Sequence, residues 1–321
     1  MTPPVPPVPP VSLGTWPTPL EPAPRLAVAL GLDPDDLWIK RDDLTGLGGG
    51  GNKVRKLQYT CAAALARSAT TLVTTGAAQS NHARLTAAAG ARLGLDVVLV
   101  LAGDPGGPAT GNLALDGLLG AHLEWAGELD DSALQAHAQA VADRLTAGGA
   151  VVELIPFGGS SVTGAQGYAD CGRELLDQMP ELAQVVVALG SGGTMAGLVH
   201  TLGADRVLGV QVGAVDDPQA RVQRLVDGLA GAPAGPALRV RLDQVGAGYS
   251  RLTDGVRWAL PTAARTEGLI LDPVYTGRAL AGLRAAVADG TVVPGERTVF
   301  LHSGGLPGLF GHAEAMAFAG S

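Results

Sequence analysis

The sequence predicts an α/β protein with parallel sheets, because apolar runs rich in β-branched residues alternate with alanine-rich helical stretches. The apolar runs are continuous, as expected for strands that are buried on both faces. They span residues 72–75, 97–101, 151–155, 185–189, 207–212 and 298–301. Helices are predicted between them, for example over residues 83–93, 131–145 and 165–178. The low-complexity segment 228–235 is predicted to be a surface loop.

Composition restricts the class of protein. The chain has 321 residues, enough for one large or two medium domains, and 46% of them are apolar. Its formal net charge is −8 and no Lys/Arg cluster occurs, so we expect no nucleic-acid partner. Apolar runs never reach 18 residues, so no membrane span is expected.

The cysteines and the N-terminus indicate a cytoplasmic protein. Cys61 and Cys171 lack the spacing of a disulfide framework or a metal site, and a reducing compartment is the simpler interpretation. The segment MTPPVPPVPPVSLGTWPTP has no charged and apolar regions of a secretory signal. Its prolines predict an extended segment that lies along the body of the protein.

One glycine-rich loop has the features of an anion site. Residues 190–197 (GSGGTMAG) follow a predicted strand and precede a stretch that is predicted to be helical from Leu198 onward. Free N–H groups and the helix dipole favour an anion there, and Ser191 and Thr194 add hydroxyl donors. An ordinary strand-to-helix turn remains the alternative. A dinucleotide fingerprint is disfavoured because Met195 stands where the third glycine belongs.

A second glycine-rich stretch, GLGGGGNKVRKL at residues 46–57, leads into Lys53. It is not a P-loop, because Asn52 separates the glycines from the lysine and no Ser or Thr follows. A lysine can instead form a Schiff base with a carbonyl compound if its ammonium form is destabilised. Arg55 and Lys56 would lower the pKa of Lys53 by like-charge repulsion if they point the same way. A solvated lysine on a glycine loop remains the alternative.

Three more loops carry polar side chains, and two of them lie at predicted strand ends. Ser80, Asn81 and His82 follow one strand and precede the helix predicted from Ala83, at a helix N-terminus where an anion is favoured. Ser80 as a helix cap explains only one of these residues. Ser303 follows the last strand, and its neighbour His302 is interpreted as a core histidine. Tyr249 lies in a third loop, for which surface packing is the simple interpretation.

Together these loops resemble one family along nearly the whole chain. Residues 40–46 (KRDDLTG), 50–53 (GGNK) and 79–84 (QSNHAR) are similar to the pyridoxal-phosphate-dependent enzymes D-cysteine desulfhydrase and 1-aminocyclopropane-1-carboxylate deaminase. Further matches lie at residues 111–112, 156–160, 190–194, 272–277 and 302–305.

The resemblance implies the two-domain fold of tryptophan synthase β. Both domains would be open twisted parallel sheets, with pyridoxal 5'-phosphate in the cleft between them. Residues 1–54 and 164–321 would form the larger domain, and residues 55–163 the smaller inserted one. The family also suggests a homodimer.

The resemblance also implies roles for individual residues. Lys53 would be the Schiff-base lysine, and Asn81 would hydrogen-bond the phenolic oxygen of the cofactor. The substrate carboxylate would contact Ser80, with help from the backbone amides of Asn81 and His82. Cofactor phosphate would be cradled by Gly190, Ser191, Gly192, Gly193 and Thr194. Tyr249 and Tyr275 would position the thiol of the substrate or relay a proton.

Two positions separate the activities of this family. Deaminases resemble Tyr-Glu-Gly and His-Leu-Gly-Gly where this chain has Thr276 and Ser303, and hydroxyl residues at both are the desulfhydrase-like pattern. Thr276 would face the pyridine nitrogen as a neutral partner. The resemblance therefore implies α,β-elimination of D-cysteine to pyruvate, hydrogen sulfide and ammonia. L-Cysteate sulfo-lyase and 1-aminocyclopropane-1-carboxylate deaminase are the alternatives, followed by a cofactor-binding protein without turnover.

Overall fold

The computed structural model describes residues 8–106, 109–233, 235, 237–249 and 251–320, and within these ranges the strands form two separate sheets. The strands are β1 (Leu20–Pro22), β2 (Leu37–Lys40), β3 (Thr71–Ala77), β4 (Asp96–Ala102), β5 (His122–Trp125), β6 (Val152–Ile155), β7 (Gln184–Leu189), β8 (Val207–Gln211), β9 (Arg239–Arg241) and β10 (Thr298–Leu301). The smaller sheet has the order β5-β4-β3-β6 and is parallel throughout. The larger has the order β1-β2-β10-β7-β8-β9, in which only β1 is antiparallel to its neighbour.

Helices connect and cover these strands. They are α1 (Pro24–Leu30), α2 (Lys53–Ala66), α3 (Asn81–Leu93), α4 (Gly111–Leu118), α5 (Asp131–Ala147), α6 (Val162–Gln178), α7 (Gly193–Leu202), α8 (Pro218–Ala230), α9 (Asp254–Glu267), α10 (Thr276–Ala288), α11 (Leu306–Phe310) and α12 (Ala313–Ala319). Short 3-10 turns lie at Asp42–Leu44, Leu47–Gly49, Phe157–Gly159 and Ala204–Arg206. In the described ranges, no helix combines the length and the apolar character that crossing a membrane requires.

The α/β class with parallel sheets is confirmed, and all six predicted strands are present. The predicted helices lie within α3, α5 and α6. Two boundaries were wrong: α7 begins at Gly193 rather than at Leu198, and α8 takes in residues 228–230 of the predicted loop. Ala234 of that loop and residues 1–7 of the proline-rich segment lie outside the described residues. The predicted domain boundaries at residues 54/55 and 163/164 stay predictions.

The cores explain why the strand runs are continuously apolar. Along β7, Val186 packs into the cluster on one face of the larger sheet, whereas Val185 and Val187 pack into the cluster on the other face. In the smaller sheet, Leu99 and Val100 of β4 face opposite clusters in the same way. Strands β7 and β4 therefore bury both of their faces, as parallel sheets covered by helices require.

The described part of the N-terminal segment lies along α2, as predicted. The Val11 amide donates to the carbonyl of Gln58 at 3.1 Å, and the Trp16 indole donates to the Gln58 side chain at 2.7 Å. Leu13, between them, is buried against the core of the smaller sheet. The segment thus fixes the outer side of the helix that begins with Lys53.

A buried ion cluster anchors the other side of α2. Arg55 donates to both carboxylate oxygens of Asp42, at 2.8 and 2.9 Å, and to Glu174 of α6. Lys40 donates to the same Glu174 at 2.8 Å, and Tyr168 donates to Asp42 at 2.5 Å. The cluster joins two cations to two carboxylates, so its charges are balanced although it lies in the interior.

We expect Arg55→Met to lower the free energy of unfolding by about 3–5 kcal/mol, because Asp42 would stay buried without its partner. Urea denaturation of the protein measures the change. Arg67→Met is the matched control, since Arg67 pairs with Glu153 at the surface, and it should change stability by less than about 0.5 kcal/mol. Equal losses in both variants would contradict a special role of the buried cluster.

Candidate active site

One cleft lies where the carboxyl ends of strands from both sheets meet, which is where α/β proteins bind their ligands. Its wall is formed by loops that follow β3, β6, β7 and β10 and by the start of α2. The lining residues are Asn52, Lys53, Ser80, Asn81, His82, Phe157, Gly158, Ala188, Gly190, Ser191, Gly192, Thr194, Met195, Tyr275, Ser303 and Gly304. Most of the residues singled out in the sequence are therefore neighbours in space.

Lys53 is the first residue of α2 and is 9% exposed. Its Nζ donates to the backbone carbonyl of Gly158 at 3.2 Å. Burial lowers the pKa of Lys53 to about 8; the nearby amine of Lys56 opposes this shift, and the positive charge of Arg221 adds to it. A substantial share of Lys53 is consequently a neutral amine, the nucleophilic form, near pH 8.

The expected cause of this pKa shift was wrong. Arg55 does not face Lys53, because its guanidinium is bound to Asp42 and Glu174 on the opposite side of α2. Burial supplies the largest contribution instead, and Arg221, far away in the sequence, supplies the repelling charge. Neither can be inferred from residues adjacent to Lys53 in the chain.

Lys56 is fully buried behind the cleft wall, and sequence reasoning missed it as part of the site. Its Nζ lies 3.2 Å from the same Gly158 carbonyl and 3.0 Å from Ser160 Oγ. Burial, followed by the charge of Lys53, lowers the pKa of Lys56 well below its ordinary value. The signal was present in the sequence, because residues three apart on a helix share one face.

The four glycines before Lys53 permit a tight reversal of the chain. All of Gly48 to Gly51 have positive φ, between +53° and +128°, a region that other residues rarely adopt. A Cβ on Gly50 would lie 2.0 Å from the carbonyl oxygen of Asp43. Beyond the reversal, the amide of Asn52 donates to the Ser303 carbonyl at 2.9 Å, and its side chain donates to Thr194 at 3.1 Å.

The loop after β7 and the start of α7 form a pocket for an anion. Ser160 Oγ accepts from the Gly193 amide at 3.1 Å and lies 2.7 Å from Ser191 Oγ. A Cβ on Gly193 would lie 2.8 Å from Ser160 Oγ and 3.0 Å from Lys56 Nζ, so a larger residue would displace the polar groups of this pocket. Within the described residues, neither Lys53 nor Lys56 is paired with a carboxylate. The pocket thus has positive charge and free N–H groups but no anion of its own.

The start of α3 presents the second polar wall. Ser80 caps the helix by accepting from the Ala83 amide at 3.1 Å, which leaves its hydroxyl hydrogen available. Thr74 Oγ1 lies 2.9 Å from His82 Nε2 and donates to the Ile155 carbonyl at 2.8 Å. His82 must therefore carry its hydrogen on Nε2. Burial and then the charges of Lys53 and Lys56 lower the pKa of His82 well below its ordinary value, so the ring is neutral.

Tyr249 and Tyr275 form a pair at the edge of the cleft. Their hydroxyl groups are hydrogen-bonded to each other, and the rings meet edge to face with centroids 6.0 Å apart. Burial raises the pKa of Tyr275 to about 12 and that of Tyr249 well above its ordinary value, so both hydroxyls are protonated at neutral pH. A second cavity of about 520 Å³ is lined by both tyrosines and shares Asn81 with the cleft.

Of two predicted site residues, Ser303 and Thr276, the fold places only the first in the cleft wall. Ser303 lines the cleft, whereas Thr276 is fully buried at the start of α10 and is absent from the cleft wall. The Thr276 hydroxyl donates to the Asp272 carboxylate at 2.7 Å. Its contact with a ring nitrogen therefore stays a prediction. His302 is a core histidine, with Nε2 3.2 Å from the Ile270 carbonyl.

We expect Gly50→Ala to lower the free energy of unfolding by about 2–4 kcal/mol, because the added Cβ meets the Asp43 carbonyl. The shifted chain should also slow the capture of an aldehyde by Lys53. Gly94→Ala is the control, since Gly94 has a similar φ of +70° but open space around it, and it should cost only about 1–2 kcal/mol. Urea denaturation and aldehyde binding measure the two effects; normal capture by Gly50→Ala would contradict the role of the loop.

Comparison with known proteins agrees with this geometry. The family described as pyridoxal-phosphate-dependent enzymes matches residues 11–304. The chain is 40% identical over 320 residues to a Pyrococcus abyssi protein named "Putative 1-aminocyclopropane-1-carboxylate deaminase", covering 95% of this chain and 94% of that one. It is also 40% identical over 312 residues to a D-cysteine desulfhydrase of Salmonella schwarzengrund, covering 92% and 94%.

A solved structure is similar over the whole fold. The crystal structure of an "ACC deaminase homologue", where ACC is the cyclopropane substrate named above, superposes with a TM-score of 0.89 at 35% identity, covering 97% of this chain and 96% of that one. Both sequence and structure thus identify the chain as a member of the pyridoxal-phosphate-dependent enzyme family and as a lyase of the group of 1-aminocyclopropane-1-carboxylate deaminases and D-cysteine desulfhydrases.

Proposed function

We propose that the protein catalyses α,β-elimination of D-cysteine, which with one water gives pyruvate, hydrogen sulfide and ammonia. The main observation that favours this reaction over the others of the family is the chemistry of the cleft wall. Among the described residues that line the cleft, none is Asp or Glu. A wall without carboxylates and the hydroxyl residues at the two family positions, Thr276 and Ser303, support β-elimination over opening of a cyclopropane ring, for which an acidic partner of the ring nitrogen is the family pattern.

The residues present fit the cofactor. Lys53 would hold its aldehyde carbon, and the start of α7 with Ser191, Thr194 and Lys56 would hold its phosphate, since this pocket supplies positive charge without an anion. The side chain of Asn81 would contact the phenolic oxygen. When bound, pyridoxal phosphate supplies an electron sink that stabilises negative charge at the substrate Cα.

The start of α3 would hold the substrate carboxylate. Ser80 has a free hydroxyl hydrogen, and the N–H groups of Asn81 and His82 belong to the first turn, where a helix has no internal acceptors for them. The helix dipole favours a negative charge at the same point. The carboxylate would thus be fixed on the small-sheet side of the cleft, with Cα directed toward Lys53.

Lys53 would act as the base at Cα when its Nζ is not bonded to the cofactor. Its lowered pKa of about 8 allows the amine to be neutral when it accepts the Cα proton and charged afterwards. The carbonyl of Gly158, 3.2 Å from Nζ, would hold the resulting ammonium in place. Gly158 therefore orients both forms of the lysine.

Tyr249 and Tyr275 would assist the leaving sulfur. Both phenols are protonated at neutral pH, so one can donate a hydrogen bond to the departing thiolate while the other stabilises the donor. The larger cavity beside this pair gives the leaving group a route away from the reacting atoms. Sulfite, the anionic leaving group from L-cysteate, would use the same route.

Covalent trapping tests the role of Lys53. Borohydride reduction of the holoenzyme, followed by peptide mapping, should label Lys53 and neither Lys40 nor Lys56, the only other lysines. Lys53→Ala should lose the label and reduce turnover by at least about 10²–10⁴-fold. Lys56→Met is the matched control and should keep the label on Lys53. Labelling of another lysine in the wild-type enzyme would refute the assignment.

A substrate panel tests the reaction itself. D-Cysteine, L-cysteine, L-cysteate and 1-aminocyclopropane-1-carboxylate are supplied separately, and keto acid, sulfide, sulfite and ammonia are measured for each. We expect pyruvate and sulfide from D-cysteine with the highest kcat/KM. Sulfite from L-cysteate would establish the sulfo-lyase instead, and 2-oxobutyrate the deaminase. A labelled Lys53 with no product from any substrate would leave a cofactor-binding protein.

The pH dependence of cofactor capture tests the lowered pKa of Lys53. Only the neutral amine attacks the aldehyde, so the rate at which the apo-protein takes up pyridoxal phosphate should rise about tenfold per pH unit below about pH 8 and level off above it. Nα-Acetyl-lysine, with a pKa near its ordinary ~10.4, should still accelerate above pH ~9. Stopped-flow absorbance measures both; equal profiles would show that burial does not lower the pKa of Lys53.

A further inference from the structure

A chain of hydrogen-bonded side chains, which we call the amide chain, runs behind the cleft from Arg84 through Asn112 to Asn81. Asn112, at the start of α4, is fully buried and makes three side-chain hydrogen bonds. Its Oδ1 accepts from Arg84 Nε at 3.0 Å, and its Nδ2 donates to the Gln79 carbonyl and to Asn81 Oδ1, each at 2.9 Å. Asn81 thus lines the cleft on one side and is hydrogen-bonded to Asn112 of the amide chain on the other.

The chemistry of these partners fixes which way each amide points. An arginine only donates hydrogen bonds and a backbone carbonyl only accepts them, so Asn112 must direct Oδ1 toward Arg84 and Nδ2 toward Gln79. The atom of Asn81 that meets Asn112 Nδ2 must then be the oxygen. Arg84 Nη2 approaches the same oxygen at 3.4 Å. The donor group, Asn81 Nδ2, is left without a hydrogen-bond partner among the described residues.

Arg84 also holds the loop that leads into Lys53. Its Nη1 donates to the carbonyls of Gly48 and Gly50, at 2.5 and 3.0 Å. Arg84 is fully buried and interacts electrostatically with the carboxylate of Asp116, whose oxygens make no hydrogen bond to the described residues. One guanidinium therefore connects the position of the Lys53 loop with the orientation of the amide at Asn81.

We propose that Arg84 and Asn112 are positioning residues that orient the Asn81 amide so that its Nδ2 donates to the phenolic oxygen of the cofactor. The inference rests on the proposed function, in which Lys53 holds the cofactor and Asn81 meets this oxygen. A phenolate oxygen only accepts, so the reversed amide would place oxygen against oxygen. Fixing the amide before binding removes the entropic cost of selecting one orientation on binding.

The discriminating variant is Asn112→Asp. One carboxylate oxygen still accepts from Arg84, but the donor to Asn81 is lost and replaced by an acceptor. Asn81 should respond by turning its Nδ2 toward the carboxylate, which points its oxygen into the cleft. We expect the dissociation constant of pyridoxal phosphate, measured by titrating the apo-protein, to rise about ten- to a hundredfold. The visible absorbance of the bound cofactor should shift as well.

A cofactor analogue separates positioning from general damage. 3-Deoxypyridoxal phosphate keeps the aldehyde and the phosphate but lacks the phenolic oxygen. Wild-type protein and Asn112→Asp should bind it with dissociation constants within about twofold of each other. If Asn112→Asp weakens both cofactors equally, its effect is structural and the proposal is overturned.

A double-mutant cycle tests whether Asn112 acts through Asn81. Asn81→Ala alone should weaken pyridoxal phosphate about as much as Asn112→Asp, and adding Asn112→Asp to it should change the dissociation constant by less than about twofold. Additive losses would overturn the proposal. Asp116→Asn is the control on the same helix, because it changes the charge beside Arg84 and leaves the amide chain intact; it should bind both cofactors as the wild type does.

Folding and the proposed function are monitored separately. If urea denaturation shows that Asn112→Asp is not folded, Asn112→Ala takes its place. We expect Asn112→Ala to lose about three- to tenfold in affinity for pyridoxal phosphate and none for the analogue. Failure of borohydride to label Lys53 in the wild-type protein would refute the proposed function. Labelled Lys53 together with unchanged affinity in both Asn112 variants would refute only the positioning role.

Discussion

Two buried lysine amines share one backbone carbonyl, and the rest of the site is arranged around them. Lys53 Nζ and Lys56 Nζ each lie 3.2 Å from Gly158 O, and no carboxylate is paired with either within the described residues. Burying a charge without a counter-ion is costly, so both amines have lowered pKa values. This arrangement prepares one lysine to react with an aldehyde and the other to bind an anion. The cost is tolerable because the neutral cluster around Arg55 holds the opposite side of α2.

Glycines allow the backbone segments to come this close together. Gly158 itself has φ of +64°, and a Cβ there would lie 2.2 Å from Ser191 Oγ and 3.4 Å from Lys53 Nζ. Gly50 and Gly193 are similarly crowded by the Asp43 carbonyl and by Ser160. The glycine run before Lys53 therefore serves the path of the chain as well as access to the lysine. Its conformational cost is offset by contacts that only this path permits.

Strands that belong to longer apolar runs could be predicted from the sequence, and strands with a larger share of polar residues could not. Of the six predicted strands, β3, β4, β7, β8 and β10 are largely buried on both faces, whereas β6 is a half-buried edge strand that its Val, Leu and Ile residues still reveal. The strands β1, β5 and β9 lie at sheet edges and contain polar residues such as Glu21, His122 and Arg239, so pairing with a neighbour defines them. The start of α7 was misplaced because glycines at a helix N-terminus look like a loop in sequence.

The sequence by itself determined the α/β class, the family and the set of loops that meet at the cleft, because these follow from periodicity and from short motifs in a fixed order. Tertiary structure decided the electrostatics. It turned Arg55 away from Lys53, brought Arg221 toward it and placed Lys56 at the anion pocket. It also placed the Thr276 hydroxyl against Asp272 rather than in the cleft wall. A pKa and a hydrogen-bond direction depend on burial and on neighbours distant in the chain, and these exist only once the chain has folded.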